Sequence, residues 1–229
     1  SMPISIDLAE RGWLPDLIIR QGIRRLLAAR IRSELHAGCE GLSERHRELL
    51  KELRSSPIAL HVQDANAQHY EVPAAYFELV LGPRLKYSSC LWPVGVSDLA
   101  EAETAMLRLT CERARIQDGM EILELGCGWG SLTLFMAETF PRSRVLAVSN
   151  SSSQREFILS RAAARGLTNI DVQTCDMNDF NTPRRFDRVV SIEMFEHMRN
   201  YETLFGRIAG WLKATGMLFT HVFYHGRCA

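Results

Sequence analysis

The sequence has no regular cysteine framework, no excess of either charge and no long apolar run. Its 229 residues include 27 Lys and Arg against 27 Asp and Glu, so charge alone gives no reason to expect nucleic acid or an acidic polymer as partner. The six cysteines form no CxxC pair, which favours free thiols over a disulfide framework or a zinc site. No segment has the length of a membrane span, and the N-terminus lacks the pattern of a secretion signal. These absences predict a cytoplasmic protein without a metal site.

The segment from about Trp13 to Leu53 combines apolar residues at helical spacing with arginines. Between Leu17 and Ser33 the sequence carries five arginines and no acidic residue. The apolar positions are Leu17, Ile18, Ile23, Leu26, Leu27, Ile31 and Leu35. Two interpretations are open: a basic amphipathic helix that contacts anionic lipid or a partner, or a packing helix whose arginines face water.

Beyond Gly119 the pattern changes to short apolar runs that alternate with helical periodicity. It predicts strands at 120–125, 144–149, 169–174, 186–192 and 216–223, and helices at 130–139, 152–165 and 198–213. A further helix is predicted before this region, at 98–114. Strands separated by helices pair in parallel through right-handed crossovers. We therefore expect an α/β protein with a doubly wound parallel sheet in residues 98–229, behind a helical cap and lid in residues 12–97.

The first predicted strand runs into the glycine-rich stretch "ILELGCGWGSL", residues 122–132. Gly126, Gly128 and Gly130 allow positive φ and let a ligand lie against the backbone at the sheet edge where ligands bind. The G-x-G-x-G spacing differs from the G-x-G-x-x-G of dinucleotide-binding turns, and no Lys-Ser/Thr pair follows it. Glu124 precedes the glycines, where a carboxylate can receive an ammonium group. A ligand with an amino-acid head and a nucleoside fits this turn better than a pyrophosphate.

The same stretch resembles the first motif of class I S-adenosylmethionine-dependent methyltransferases, which have a Rossmann-like sheet. Residues from about 68 to 225 more narrowly resemble the superfamily of cyclopropane-fatty-acid synthases and coclaurine-type N-methyltransferases. The resemblance is carried, in the family's order, by "KYSSCLW" (86–92), "LELGCGWGSL" (123–132), "SNSSSQREF" (149–157), "CDMNDF" (175–180), "FDRVVSIEMFEHM" (186–198) and "FTHVF" (219–223). It implies S-adenosylmethionine as the cofactor.

Carried over position by position, the resemblance also implies a set of cofactor residues. Tyr87 and Ser88 would close over the carboxylate end of the cofactor, with the three glycines beneath it. Asn150 and Gln154 would hold the ribose by neutral hydrogen bonds, because the acid of many class I enzymes is absent here. The remaining two positions, at the adenine, are Asp176 and Met177, and core filling is an equal alternative for Met177.

Three titratable groups, Glu193, Glu196 and His197, follow the fourth predicted strand. If the chain is helical there, Glu193 shares a face with the other two at i,i+3 and i,i+4. Methyl transfer from a sulfonium needs a lone pair on the acceptor, and an aliphatic amine is mostly ammonium at neutral pH. A carboxylate and a histidine can bind that cation, remove its proton and orient the nitrogen. The alternatives are a helix cap with a solvated face, and a metal site, although the HExxH order is lacking.

The same residues separate two branches of the superfamily. The resemblance implies that cyclopropane synthases have glycine at Glu193, and cysteine at Ser89 as part of a bicarbonate site. Glu196 and His221 match that bicarbonate site, whereas Phe223 stands in place of isoleucine. We therefore expect N-methylation of a small amine, with methylene transfer to unsaturated lipid as the alternative. Four aromatic-type side chains could roof the acceptor pocket or belong to the core of the cap: His69, Tyr70, Tyr76 and Phe77.

In this superfamily the sheet continues beyond the last predicted strand, whereas the given sequence ends soon after that strand. We expect that strand to lie at an exposed edge with uncovered side chains at Leu218, Phe219 and Val222. Three explanations are open for such an edge: a cut at a domain boundary, a short isoform, or an oligomer that covers the edge. Because downstream segments complete the acceptor pocket in the family, a cofactor-binding module without turnover is a further alternative to an enzyme.

Overall fold

The computed structural model describes residues 4–35, 38–60 and 73–223. The chain divides into two compact units, Ser1–Leu53 and Arg54–Ala229. Residues 73–97, which the sequence assigns to a cap, lie in the same unit as the sheet. Across the described ranges, no helix is both long enough and apolar enough to cross a bilayer.

The N-terminal part of the chain is helical, with α1 at Ile4–Glu10, α2 at Asp16–Leu35 and α3 at Gly38–Ser55. Asp16 lies in the first turn of α2, where a carboxylate interacts favourably with the helix dipole, and it accepts a hydrogen bond from Arg20 Nη2 at 3.0 Å. The apolar residues of α2 that were predicted at helical spacing are exposed at Leu17, Ile18, Ile23, Leu26, Leu27 and Ile31.

The second unit contains a five-stranded parallel sheet in the order β3-β2-β1-β4-β5. Its strands are β1 (Glu121–Leu125), β2 (Arg144–Ser149), β3 (Ile170–Thr174), β4 (Phe186–Ile192) and β5 (Leu212–His221). The strand order reverses between β1 and β4, and such a switch point is where open α/β sheets bind ligands. The predicted doubly wound sheet is confirmed.

The helices of this unit are α4 (Ala74–Val80), α5 (Leu99–Arg113), α6 (Ser131–Thr139), α7 (Ser152–Ala164) and α8 (Tyr201–Trp211). Side-chain caps define several of their starts, because the Asp98, Ser151 and Asn200 side chains accept hydrogen bonds from the first-turn N–H groups of α5, α7 and α8. The strand predicted at 216–223 begins earlier, at Leu212. Trp211 ends α8, with its ring packed 5.0 Å from that of Phe180, and the chain passes directly into β5.

The core lies on both faces of the central strands, where β1 and β2 are buried at nearly every position. At the β5 edge the predicted exposure is only partly found. Leu218 and Phe219 pack against core residues, whereas Val222 is 44% exposed. Where the structure describes the cysteines' side chains, Cys90, Cys111, Cys127 and Cys175 are free thiols.

Gly130 connects the glycine turn to α6 and provides a test of the packing beneath it. Its φ is 80°, and a Cβ built there would lie 2.6 Å from Ile158 Cγ1. We expect Gly130→Ala to destabilise the protein by about 2–6 kcal/mol, because left-handed strain and overpacking each cost about 1–3 kcal/mol. Gly206, exposed within α8 with open space around it, is the control, and Gly206→Ala should be neutral or stabilise by up to about 1 kcal/mol. Urea unfolding followed by circular dichroism measures both, and equal stabilities for the two variants would contradict the packing argument.

Candidate functional site

A cavity of about 810 Å³ opens at the carboxyl ends of β1, β2 and β4. It gathers nearly all of the side chains predicted to bind cofactor or acceptor. The predicted residues that line it are Tyr87, Ser88, Glu124, Gly126, Gly128, Asn150, Gln154, Asp176, Met177, Glu193, Glu196 and His197. Gly130 is not among the lining residues, and its surroundings show packing against Ile158; its contact with the cofactor stays a prediction.

The glycine turn forms the floor of the cavity between β1 and α6. The N–H groups of Gly126 and Cys127 donate to the carbonyl oxygen of Val148 at 3.0 and 3.1 Å, which anchors the turn to β2. Gly126 has a φ of 77°, and a Cβ built there would lie 2.9 Å from the side chain of Met194. Gly128 has a φ of 52° and open space around its Cα. The turn therefore presents bare backbone to the cavity.

Glu124 is a buried carboxyl group at the end of β1. It is 3% exposed and accepts a hydrogen bond from Thr133 Oγ1 at 2.5 Å. Burial raises the pKa of Glu124 to about 8, although the Thr133 hydrogen bond acts in the opposite direction. At neutral pH the carboxyl group is therefore largely protonated, and a cation placed beside it would favour ionisation.

Gln154 presents an unused hydrogen-bond donor at the cavity. The residue is 2% exposed, and its Oε1 accepts from Ser149 Oγ at 2.5 Å. Its Nε2 has no hydrogen-bond partner among the described residues. Buried polar atoms are nearly always paired, so this amide fits a ligand that brings an acceptor oxygen. Asn150 lines the same part of the cavity.

Asp176 and Met177 follow β3 on the far wall. The Oδ1 atom of Asp176 accepts from the backbone N–H of Asn178 at 2.8 Å, which fixes the turn. Met177 is 7% exposed and contacts the core as well as lining the cavity. Met177 therefore supports the core on one side and faces the cavity on the other, and its contact with adenine stays a prediction.

The segment 58–60 bridges the walls of the cavity. The side-chain amide of Asn178 pairs with the backbone of Ala59 through two hydrogen bonds of 3.0 Å, one in each direction. Next along the chain, the carbonyl oxygen of Ile58 accepts from the N–H of Arg199 at 2.8 Å. Ala59 and Leu60 line the cavity. One short stretch is thus tied both to the loop after β3 and to the loop after β4.

The acidic cluster after β4 has a different backbone from the one predicted. Glu193 has a φ of 52°, and its N–H donates to the carbonyl oxygen of His221 at 2.7 Å. Glu196 and His197 lie in a single 3₁₀ turn, Phe195–His197. The helical face expected to join Glu193 to the other two is therefore wrong, because Glu193 lies outside the turn. The three side chains meet at the cavity instead through the left-handed residue that ends the strand.

Two serines hold the carboxylate of Glu193. Ser88 Oγ donates to Oε2 at 2.5 Å, and Ser89 Oγ donates to Oε1 at 2.7 Å. Burial alone raises the pKa of Glu193. The two hydroxyl hydrogen bonds, with the electrostatic influence of Lys86 and His221, outweigh burial and hold the pKa below its ordinary value. Glu193 is therefore an anion across the neutral range.

The other two members of the cluster have fewer contacts. Glu196 Oε1 accepts a hydrogen bond from the N–H of Phe223. Its Oε2 is buried without a hydrogen-bond partner in the described part of the chain. His197 is exposed and lines the cavity. An unpaired carboxylate oxygen and an imidazole thus remain available to a ligand on the same side as Glu193.

An aromatic cluster joins the 73–97 segment to the glycine turn. The ring centroid of Phe77 lies 5.3 Å from that of Trp129 and 5.8 Å from that of Tyr87. Trp129 also packs edge-on against Phe157 at 5.3 Å. Phe77, Trp129 and Tyr87 line the cavity. Trp129 was missed in the sequence, although it lies inside the quoted glycine motif.

Two of the four aromatic-type residues that could roof the acceptor pocket or belong to the core of the cap are described in the structure. Phe77 is buried and contributes to the cavity wall. Tyr76 is 52% exposed and is not a lining residue. His69 and Tyr70 lie outside the described residues.

Lys86 is a second lining residue that sequence reasoning missed. It is 7% exposed, and its Nζ donates to the carbonyl oxygen of Ser88 at 2.8 Å. Burial lowers the pKa of Lys86, while nearby Cys90, Glu193 and Glu103 act in the opposite direction. Lys86 begins the quoted "KYSSCLW" motif, and a lysine within an otherwise apolar and hydroxyl-bearing motif was the available signal. Within the described ranges, no group of three or more His, Cys, Asp or Glu residues is placed to hold a metal ion.

Comparison with known proteins gives the same superfamily as the motifs. The family model described as mycolic acid cyclopropane synthetase matches residues 60–227. The (S)-coclaurine N-methyltransferase of Thalictrum flavum subsp. glaucum is 39% identical over 220 residues, which cover 94% of this chain and 60% of that protein. The cyclopropane-fatty-acyl-phospholipid synthase of Escherichia coli (strain K12) is 33% identical over 156 residues, which cover 67% of this chain and 39% of that protein.

A solved structure agrees over nearly the whole chain. The crystal structure of a coclaurine N-methyltransferase bound to N-methylheliamine and SAH has a TM-score of 0.84 and 38% identity, and the match covers 96% of this chain and 64% of that one. The chain therefore spans less than two thirds of the length of these relatives. With most of its residues matched by the family model, the chain belongs to the mycolic acid cyclopropane synthetase family, within the class I S-adenosylmethionine-dependent methyltransferases.

Proposed function

We propose that this chain binds S-adenosylmethionine in the cavity and belongs to an enzyme that transfers the methyl group to the nitrogen of a small amine. One observation carries the proposal: a single cavity joins the bare glycine turn to the Glu193, Glu196 and His197 cluster. The likeness to coclaurine N-methyltransferases over nearly the whole chain supports an amine acceptor. We further propose a cytoplasmic location and a lid function for residues 73–97.

The residues present fit the cofactor at three places. The glycine turn leaves room for a ligand against its backbone. We assign the ammonium of the amino-acid head to Glu124, and we assign closure over the carboxylate end of the cofactor to Tyr87 and Ser88, all three of which line the cavity. The free Nε2 of Gln154 suits a ribose hydroxyl, with Asn150 as the second donor. Asp176 and Met177 are the proposed adenine residues on the remaining wall.

The acceptor side is proposed to work through charge and orientation. When bound, S-adenosylmethionine supplies an electrophilic methyl group. Glu193, kept ionised by its two serine partners, binds an ammonium and orients its nitrogen. A low pKa makes Glu193 a weak base, so we assign removal of the proton to His197, a group that serves as general base in many enzymes. Glu196 supports both through its unpaired oxygen.

A second candidate function is methylene transfer to unsaturated lipid. Glu196 and His221 match the bicarbonate site that the resemblance attributes to cyclopropane synthases, and the family model is named for such enzymes. Helix α2 adds exposed apolar side chains beside five arginines, a composition suited to anionic lipid. Ser89, Glu193 and Phe223 depart from that site, which is why the amine is preferred. Peripheral membrane contact through α2 belongs to this candidate, and an oligomer that covers β5 remains a proposal for either.

Calorimetry and a turnover assay test the main proposal. Titration of the protein with S-adenosylmethionine and S-adenosylhomocysteine should show one site per chain. Incubation with the cofactor and a panel of amines that includes heliamine should then release S-adenosylhomocysteine. No binding at large ligand excess in a folded sample would contradict the whole proposal. Binding without product from any amine or lipid would instead support the non-catalytic cofactor-binding module.

Glu124→Gln tests the raised pKa of the buried carboxyl group. A folded-state pKa of about 8 lies above the unfolded value, so the stability from the neutral form is present in acid and is lost as the pH rises through 8. Relative to wild type, the variant should gain stability between pH 5 and 8 by up to about 1.4 kcal/mol per pH unit. Urea unfolding at several pH values measures this gain, and a pH-independent difference would contradict it.

The same variant has a binding phenotype. If the cofactor ammonium ionises Glu124, wild type should release a proton on binding at pH 7, and Glu124→Gln should bind more weakly without that release. Calorimetry in buffers of different ionisation enthalpy counts the proton. Equal buffer dependence in the two proteins would remove Glu124 from the cofactor site.

A paired exchange tests the choice of acceptor. Ser89→Cys with Glu193→Gly introduces the two residues that the resemblance assigns to cyclopropane synthases. The parent protein should methylate amines and leave unsaturated phospholipid vesicles unchanged, whereas the double variant should lose amine turnover by about 10²-fold, because the group that binds and orients the acceptor nitrogen is removed. A parent protein that acts on lipid and ignores every amine would establish the second candidate.

A further inference from the structure

The segment that carries Ser88 and Ser89 begins with a strained turn bound to a buried carboxylate. Leu85 has a φ of 52°. On either side of it, the N–H of Arg84 donates to Glu103 Oε2 at 2.8 Å, and the N–H of Lys86 donates to Glu103 Oε1 at 2.9 Å. Glu103 lies in α5 and is 0% exposed. Both oxygens of one buried carboxylate are therefore used to hold one turn.

This arrangement has the features of a built site for a carboxylate. Backbone N–H groups that flank a left-handed residue form a concave anion-binding nest. A buried charged group is costly unless such donors compensate it. Gly82 leaves the room that the carboxylate occupies, because a Cβ there would lie 2.4 Å from Glu103 Oε2. A Cβ at residue 82 would therefore displace the Glu103 carboxylate from the turn.

The turn leads directly to the hydroxyls that contact Glu193. Two residues after the nest, Ser88 and then Ser89 donate to the two carboxylate oxygens of Glu193. Beyond them, the N–H of Leu91 donates to the carbonyl oxygen of Ala102 at 3.2 Å. The serine segment is thus attached to α5 both before and after the serines, at neighbouring residues of one helix.

We propose that Glu103 is a positioning residue that holds the serine hydroxyls against Glu193 and thereby sets the charge and aim of that carboxylate. This proposal deepens the proposed function, since it rests on Glu193 as the group that binds the acceptor. Glu103 itself touches neither ligand. It acts from the helix behind the turn, through the backbone of Arg84 and Lys86.

Several charged groups face Glu193 and share control of its ionisation. Lys86 lies on the turn at 84–86, and His221 approaches Glu193 from β5. Glu196 and His197 line the same cavity from the 3₁₀ turn. Loss of the Glu103 contacts would loosen both serines and Lys86, so the pKa of Glu193 should rise. A contribution of Glu103 to stability alone would leave that pKa unchanged.

Titration of Glu193 itself separates these roles. Protein with ¹³C at the glutamate side-chain carboxyl is followed by NMR against pH, and the Glu193 signal is the one missing from Glu193→Gln. In wild type its pKa should lie below the ordinary glutamate value, and it should rise in Glu103→Gln and in Ser89→Ala. Gly82→Ala moves the Glu103 carboxylate without removing it, so it should raise the pKa too, and it carries the test if Glu103→Gln does not fold.

A matched control is Glu121→Gln, which loses a partly buried carboxylate paired with Arg184 at the opposite end of β1 and should leave the pKa of Glu193 unchanged. A wild-type pKa in Glu103→Gln and Gly82→Ala would overturn the proposal, whatever happens to their stability. A wild-type pKa in Ser89→Ala would overturn it as well, because the hydroxyl would then not govern the carboxylate. The titration needs no cofactor or acceptor, so its outcome is independent of whether methyl transfer to amines is found.

Discussion

The turn after β1 imposes the constraint on which the site depends: its backbone must approach other groups more closely than any side chain allows. Gly126, Gly128 and Gly130 have φ values of 77°, 52° and 80°. Met194 from the loop after β4 lies 2.9 Å from where a Cβ of residue 126 would be, and Ile158 from α7 lies 2.6 Å from where a Cβ of residue 130 would be. Elements from both sides of β1 therefore converge on the turn. Gly128, between these two glycines, faces open space. This leaves the floor of the cavity free for a ligand.

Above that floor, two carboxyl groups have pKa values shifted in opposite directions. Burial raises the pKa of Glu124 to about 8, whereas hydroxyl donors and positive charge hold the pKa of Glu193 below its ordinary value. A cavity with one neutral and one ionised carboxyl group at neutral pH can distinguish two cations. A cation beside Glu124 would meet a carboxyl group that ionises only as the cation binds. A cation beside Glu193 would meet a carboxylate that is already ionised. This division matches the proposed roles at the two ends of the site.

The sheet and the location of the site were predictable from the sequence because both depend on local patterns. Alternating apolar runs gave every strand within a few residues, and glycine and acidic motifs after β1 and β4 pointed to the same edge. The backbone at Glu193 was not predictable, since its left-handed conformation depends on a contact with His221 and not on its neighbours in sequence. Contacts between Glu103 and the turn at 84–86, or between Ser88 and Glu193, join residues 17 to 105 positions apart. No periodicity reports such pairs.

The bridge formed by residues 58–60 has a consequence for exchanging parts between relatives. The side-chain amide of Asn178 both donates to and accepts from the backbone of Ala59, as a neighbouring strand would. The carbonyl oxygen of Ile58 accepts a hydrogen bond from the N–H of Arg199. Hydrogen bonds thus join three stretches that are distant in sequence. A chimera that imports only the loop after β4 would change the partner of Ile58 and, through Ala59 and Asn178, disturb the loop after β3, where the proposed adenine residues lie. Recombination that changes substrate preference must therefore move all three stretches together.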